Sequence, residues 1–325
     1  MRFDYWAVVR KSWEIAWRYK ILWIFGFFVG WSGSSNPSFN INLPSSEEAA
    51  PPPSFNTSEL TTFFQKYLAL IILVALLVFF FMILLLIARY ISKPALIYLA
   101  SKCDEVKPSF SKGFSAGLHF FFRYIATGWI LWIPFVFILL PILIIPFILI
   151  AGSAMRNPSN AGFLAFLLLL FPLVIIIILI AIPLSVLTEI AHRYLVVEDA
   201  RVFESISQAF SLIKTFWKNV ALLWLIQIAL GFLAVFTLIF AVLLFLLPSL
   251  PIILGMAAAL SSQNIALFLI LLPIGLILLL ILVAFFLLIQ GLLGTFFTNF
   301  WTLAYIKLKE FKESQLQEET SPQAG

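Results

Sequence analysis

Three stretches of this chain, 67–88, 162–187 and 221–247, carry no charged residue and each exceed the roughly 18 to 20 apolar residues that cross a hydrocarbon layer. They are rich in Leu, Ile, Val and Phe and show no period-two alternation, which excludes the strands of a membrane barrel. A backbone in lipid has no water to bond to, so each run must satisfy its own N–H and C=O groups as a helix. Composition agrees: 63% of residues are hydrophobic and 11% charged, against about a quarter charged in soluble domains. The fold class read from these runs is all-α, a polytopic membrane protein of about six transmembrane helices arranged as three hairpins with cytoplasmic amphipathic lead-in helices.

The net charge of +5 would suit nucleic acid if it formed one patch, but it does not. Of the 20 Lys and Arg, all but Lys66 and Arg156 fall in four blocks, at 1–20, 89–123, 193–218 and 307–312, beside the ends of apolar runs. The positive-inside bias assigns those blocks to the cytoplasm, where they also meet anionic headgroups. Both termini are then cytoplasmic, the number of spans is even, and the expected location is the plasma membrane. The single cysteine, Cys103, stands between Lys102 and Asp104 and reads as a reduced loop residue.

Read in order, a single membrane domain is expected over 1–312, in hairpin units of about 1–103, 104–198 and 199–312. In 2–31, Trp6, Val9, Trp13, Ala16 and Trp17 share a helical face bordered by basic residues, an interfacial pattern. The apolar part after it is short, so a first span has to recruit the chain from about Ile15. Residues 32–60 combine five prolines with Ser and Asn and lack Lys and Arg, as an outer loop does. The second span runs on past Pro94. Phe110, Phe114, Leu118, Phe121 and Phe122 then form a second amphipathic lead-in to a third span. RNPSNAG at 156–162 reads as an outer turn, and a fourth span ends near Glu189. Asp199 is placed to cap the next helix. There Val202, Ile206, Phe210, Ile213 and Trp217 recur at helical spacing. A fifth span is expected to 247, an outer loop over 248–263 around Pro248 and Pro251, a sixth span from Ile265, and a flexible polar tail at 313–325. Paired prolines, 134 with 141 and 172 with 183, read either as bent helices or as the broken helices of a transporter site.

Shifted by 96 residues, SFSKGFS at 109–115 lies on SISQAFS at 205–211, with four identities. Such an offset describes one hairpin unit used repeatedly in the same orientation.

Candidates for chemistry are few. Glu189, His192 and Arg193 sit at i, i+3 and i+4 and share a helical face at the inner membrane edge, either as an ion pair or as a proton or ligand site. Gln227, Gln290, Thr295 and Asn299 are the polar positions inside apolar helices, suited to bonding across a helix interface or to lining a cavity. His119 stands alone among phenylalanines. With two histidines and one cysteine no His/Cys metal site is expected, and no cofactor. The sequence contains no phosphate-binding glycine loop, no GxSxG and no HExxH.

RYLVVED at 193–199 and SQAFSLIKTFWKN at 207–219, with the six-span layout, resemble a broad group of bacterial multi-pass proteins. Some of that group are labelled as the membrane domain of glycerophosphoryl diester phosphodiesterases. The catalytic part of those enzymes is a separate barrel with metal-binding carboxylates, and no segment here is long or polar enough to be one. The activity is therefore not implied. The expectation is a non-catalytic membrane protein that interacts with or organises lipid, or anchors a partner, at the inner leaflet; the alternative is a small transporter or channel for an apolar or amphipathic solute. Membrane lipids are the expected partners, then another protein or a second copy of the chain, and not nucleic acid.

Overall fold

A computed structural model describes residues 3–30, 57–105, 107–156, 160–262 and 264–320, and within them eight α-helices and no strand. They are α1 (Tyr5–Arg18), α2 (Leu22–Gly30), α3 (Thr57–Ser101), α4 (Phe110–Arg156), α5 (Asn160–Val197), α6 (Val202–Thr215), α7 (Trp217–Ser261) and α8 (Ile265–Thr320). Five of them, α3, α4, α5, α7 and α8, contain stretches long and apolar enough to cross a membrane.

Asp4 starts α1, its side chain accepting from the Ala7 N–H at 3.0 Å. The buried stripe of α1 is Val8, Val9, Ser12, Ile15 and Ala16, while Trp6, Trp13 and Trp17 are exposed. The expected Trp face is thus split: its small members, Val9 and Ala16, go inward because only small side chains let α1 close on α8. The helix then ends at Arg18, where the Tyr19 N–H bonds back to the Ile15 carbonyl, and α2 begins afresh at Leu22. One continuous helix starting near Ile15 is therefore not formed. The nine described residues of α2 cover about 14 Å, and the expected loop at 32–60 lies outside the described residues up to 56.

The described part of α2 packs closely on α8. A Cβ at Gly26 would stand 2.1 Å from the Gly291 carbonyl oxygen, and one at Gly294 would stand 2.1 Å from that of Gly26. Glycine at these positions lets the two backbones of α2 and α8 touch. The Thr295 hydroxyl fills the seam, 2.8 Å from the Gly291 carbonyl and 3.0 Å from that of Leu22.

The long helices divide into two regimes. Along 66–87 of α3, 171–180 of α5 and 265–289 of α8 most of the apolar side chains are exposed to the surroundings and none is buried. Burial begins at Ile91 in α3, Val186 in α5 and Gly291 in α8. From there inward, α1, α2 and α6 and the inner ends of the long helices close one core around Leu22, Leu96, Ile190, Leu223, Phe300 and Leu308. Within it α3, α5 and α8 pack on one another, α2 lies against α8 and α3, α4 against α3 and α5, and α6 against α5.

Two local expectations are corrected, and one of two alternatives is removed. Residues 248–261 are not an outer loop but the last turns of α7, which passes through Pro248 and Pro251; apolar surroundings leave the backbone no alternative to intrahelical bonds, and the Ser249 hydroxyl bonds the Leu246 carbonyl at 2.8 Å. Asp199 does not cap α6: Arg201 is the N-cap, and Asp199 takes a left-handed conformation (φ 52°) in which its carboxylate accepts from Arg123 at 2.8 Å. Finally, α4 and α5 continue through their prolines rather than breaking at them. The helix α8 also runs on through 313–320.

Candidate functional site

The inner turns of α3 and α5 face each other where burial begins, and that contact brings two positions 96 residues apart together. Lys93 Nζ donates to Glu189 Oε1 at 2.6 Å, with the lysine 8% exposed. The separation equals the offset that lays SFSKGFS on SISQAFS. The other carboxylate oxygen of Glu189 accepts from Arg193 one turn along α5. Arg193 is fully buried; its Nη1 also bonds the Glu189 backbone carbonyl at 2.5 Å, and its Nη2 reaches the Thr298 carbonyl of α8 at 3.5 Å.

One carboxylate thus serves two cations, and the cluster carries a charge of +1. Arg89, one turn before Lys93 on α3, raises this to +2; among the described residues it forms no ion pair and lies 6.0 Å from the Tyr90 ring.

His192 lies flat on Tyr124 of α4, ring centroids 3.8 Å apart and planes 18° from parallel. Its Nε2 stands 3.3 Å from the Tyr124 carbonyl. A carbonyl only accepts, so the proton is on Nε2 and Nδ1 is left as an acceptor; Nδ1 is buried and meets no partner among the described residues. These groups open onto a cleft of about 400 Å³ between α3, α4 and α5. Its lining is polar at Arg89, Lys93 and Glu189 and apolar and aromatic at Ile125, Trp129 and Trp132, Trp129 being 59% exposed.

Glu189, His192 and Arg193 therefore stand together as their spacing on one helix dictates, whereas Gln227, Gln290, Thr295 and Asn299 lie outside the cleft. Gln227 accepts from the Trp301 indole N–H at 2.8 Å, tying α7 to α8. Gln290 lies against Gly30, where a Cβ would come within 2.7 Å of its side-chain oxygen. Thr295 fills the α2–α8 seam. Asn299 is fully buried, and neither atom of its amide has a partner among the described residues. Sequence reasoning missed Lys93, Arg89 and Tyr124. The signal for Lys93 was its register with Glu189 under the 96-residue offset; nothing local marks Tyr124.

Other polar groups are accounted for in the connections. Arg123 holds Asp199 and also donates to His119 Nε2 at 3.0 Å. Lys11 of α1 reaches Asp104 in the α3–α4 turn at 2.5 Å, and this hydrogen bond raises the lysine pKa. Cys103 is buried beside Asp104, and burial pushes its thiol above the usual range. Among the described residues no three His, Cys, Asp or Glu side chains gather in a metal-binding group.

No curated protein and no solved structure matches the chain. The family match carries no link to the glycerophosphoryl diester phosphodiesterases. It takes in residues 15–308, from the last turn of α1 through the buried part of α8, and on that match the chain belongs to a family of unknown function, DUF7544.

Proposed function

We propose that this is a non-catalytic membrane protein that holds an anionic phospholipid of the inner leaflet in the cleft between α3, α4 and α5. The observation that carries the reading is the surplus of positive charge at that cleft: Lys93 and Arg193 share one carboxylate and Arg89 has none. Buried charge without a counter-charge is costly. A phosphate drawn to Arg89 and Lys93 completes the balance, and Glu189 is not stranded when Lys93 turns, because Arg193 keeps it. The apolar part of the lining, with its exposed Trp129, suits the first methylenes of an acyl chain at the depth where indole rings collect. Glu189 is committed to two cations and the His192 Nε2 proton to a carbonyl, which favours binding over proton transfer.

The topology that accompanies this reading is three hairpins, α1 and α2 with α3, α4 with α5, and α6 and α7 with α8. In it the basic ends lie in the cytoplasm. The packing of α3, α5 and α8 on one another, with a lead-in helix beside each, supports that arrangement. Native mass spectrometry tests the cleft. Protein taken from vesicles of phosphatidylcholine and phosphatidylglycerol in equal amounts should retain phosphatidylglycerol selectively. The Arg89→Gln/Lys93→Met variant should lose it, and Gln227→Leu, outside the cleft, should not. Equal retention of both lipids, or an unaffected double variant, overturns the reading; a polar solute retained instead of lipid would favour transport.

A further inference from the structure

A second cavity, of about 470 Å³, opens on a different face of the molecule, among α1, α7 and α8. Its floor is α8 from Ile289 to Phe297 and its wall is α7 around Ala234 and Thr237, nearly all apolar. This is the level at which α8 passes from the exposed regime to the buried one, the same transition at which Arg89 and Lys93 stand on α3. Over the mouth lies one face of α1, carrying Trp6, Arg10 and Trp13.

The chemistry of that face is specific. Arg10 is the only charged residue lining the groove, it is exposed, and among the described residues it forms no ion pair. The Trp6 and Trp13 indole N–H groups have no acceptor among the described residues either, although Trp6 is 72% and Trp13 46% exposed. Trp13 is fixed by its edge contact with Phe296, centroids 5.7 Å apart, and by stacking on Trp17. Indole rings beside an unpaired guanidinium at the head of an apolar groove match the parts of a phospholipid in order: phosphate, ester region, acyl chain. A water-filled groove of this lining would have almost nothing to bond to, and a peptide strand would bring backbone groups that α7 and α8 cannot satisfy.

We propose that this groove is a second lipid site, in which the phosphate of an anionic phospholipid rests on Arg10 between Trp6 and Trp13 and one acyl chain lies along α7 and α8. It shares no residue with the α3–α4–α5 cleft, so either site can fail without the other. The site clamps α1 against the α7–α8 pair through the lipid itself, a bridge that direct contacts between α1 and α8 make only on one side.

The test titrates phosphatidylglycerol and phosphatidylcholine separately onto delipidated full-length protein, with bound lipid read by native mass spectrometry. Four forms are compared: wild type, Arg10→Gln, Ala234→Phe and Arg89→Gln/Lys93→Met. Arg10→Gln should weaken one phosphatidylglycerol binding step about fivefold, the worth of one cation near a headgroup. Ala234→Phe, which fills the groove from an only partly buried position, should abolish that step. The cleft double variant should retain it. If Arg10→Gln and Ala234→Phe both bind as wild type does, the site does not exist. If Arg10→Gln weakens binding while Ala234→Phe does not, the lipid rides on surface charge with no chain in the groove, which also overturns the proposal. Equal affinity for phosphatidylcholine removes the role of Arg10. Retained cleft binding in Ala234→Phe shows that the variant is folded.

Discussion

Removing the single negative charge of the core should cost far more than removing either of the positive charges it holds. In Glu189→Gln the side chain keeps its size, but Lys93, 8% exposed, and Arg193, fully buried, are left facing each other with no counter-charge. Breaking a buried pair in this way costs about 3–5 kcal/mol. In Lys93→Met, by contrast, Glu189 keeps the Arg193 bond, its side chain is 21% open to its surroundings, and the new side chain packs where a lysine stem did. That loss should be about 1 kcal/mol, the scale of one polar contact inside a membrane protein. The two variants then differ by about one and a half to three powers of ten in unfolding equilibrium at roughly 1.4 kcal/mol per tenfold. Adding Lys93→Met to Glu189→Gln should recover part of the loss, because one of the two stranded cations disappears. Reversible unfolding in mixed micelles at neutral pH, the four proteins side by side, measures all of this. The reasoning fails if Glu189→Gln lies within about 1 kcal/mol of wild type, or if Lys93→Met proves the more damaging substitution.

Further outcomes follow from single contacts. Gly26→Ala or Gly294→Ala must push α2 off α8, since each new Cβ would meet a backbone oxygen at 2.1 Å, and each should cost about 1–3 kcal/mol in the same unfolding assay. Gly231→Ala, with nothing within 4 Å, should cost nothing and serves as the control. Asn299→Leu removes a buried amide with no described partner and should leave stability unchanged or raise it by up to about 1–3 kcal/mol; a loss would reveal a partner for that amide. Lys11→Met should destabilise by less than about 1 kcal/mol, because both partners of the Lys11–Asp104 bridge are open to solvent. The folded-state pKa of Lys11 is raised, so its contribution is complete below the unfolded value of about 10.4 and disappears as pH rises through the folded one. In a series taken upward from neutral pH, the gap between wild type and Lys11→Met should close at the alkaline end.

The class of this fold was legible before any coordinates, and for a physical reason: uncharged runs longer than a hydrocarbon layer leave the backbone a single way to satisfy itself. The i, i+4 relation of Glu189 and Arg193 was legible for the same kind of reason, being imposed by one turn of one helix. Family membership rests on the sequence as well. Signals that span one helix or one turn are written locally.

Tertiary packing decided the rest. It put Lys93 on Glu189 and Tyr124 under His192, contacts between helices that no periodicity specifies. It stopped α1 at Arg18, carried α7 through two prolines, and spent Asp199 on Arg123 rather than on a helix cap. Above all it decided which apolar residues are core. In water, hydrophobicity and burial go together and a sequence announces its interior. Here Phe79, Phe137 and Leu280 are exposed to lipid, while Ser12, Arg193, Thr298 and Asn299 lie inside. Lipid and core are equally apolar solvents, so the chain's hydrophobic pattern cannot say which of them a side chain will meet. Only the packing of glycines and hydroxyls between α2, α5 and α8 separates the two.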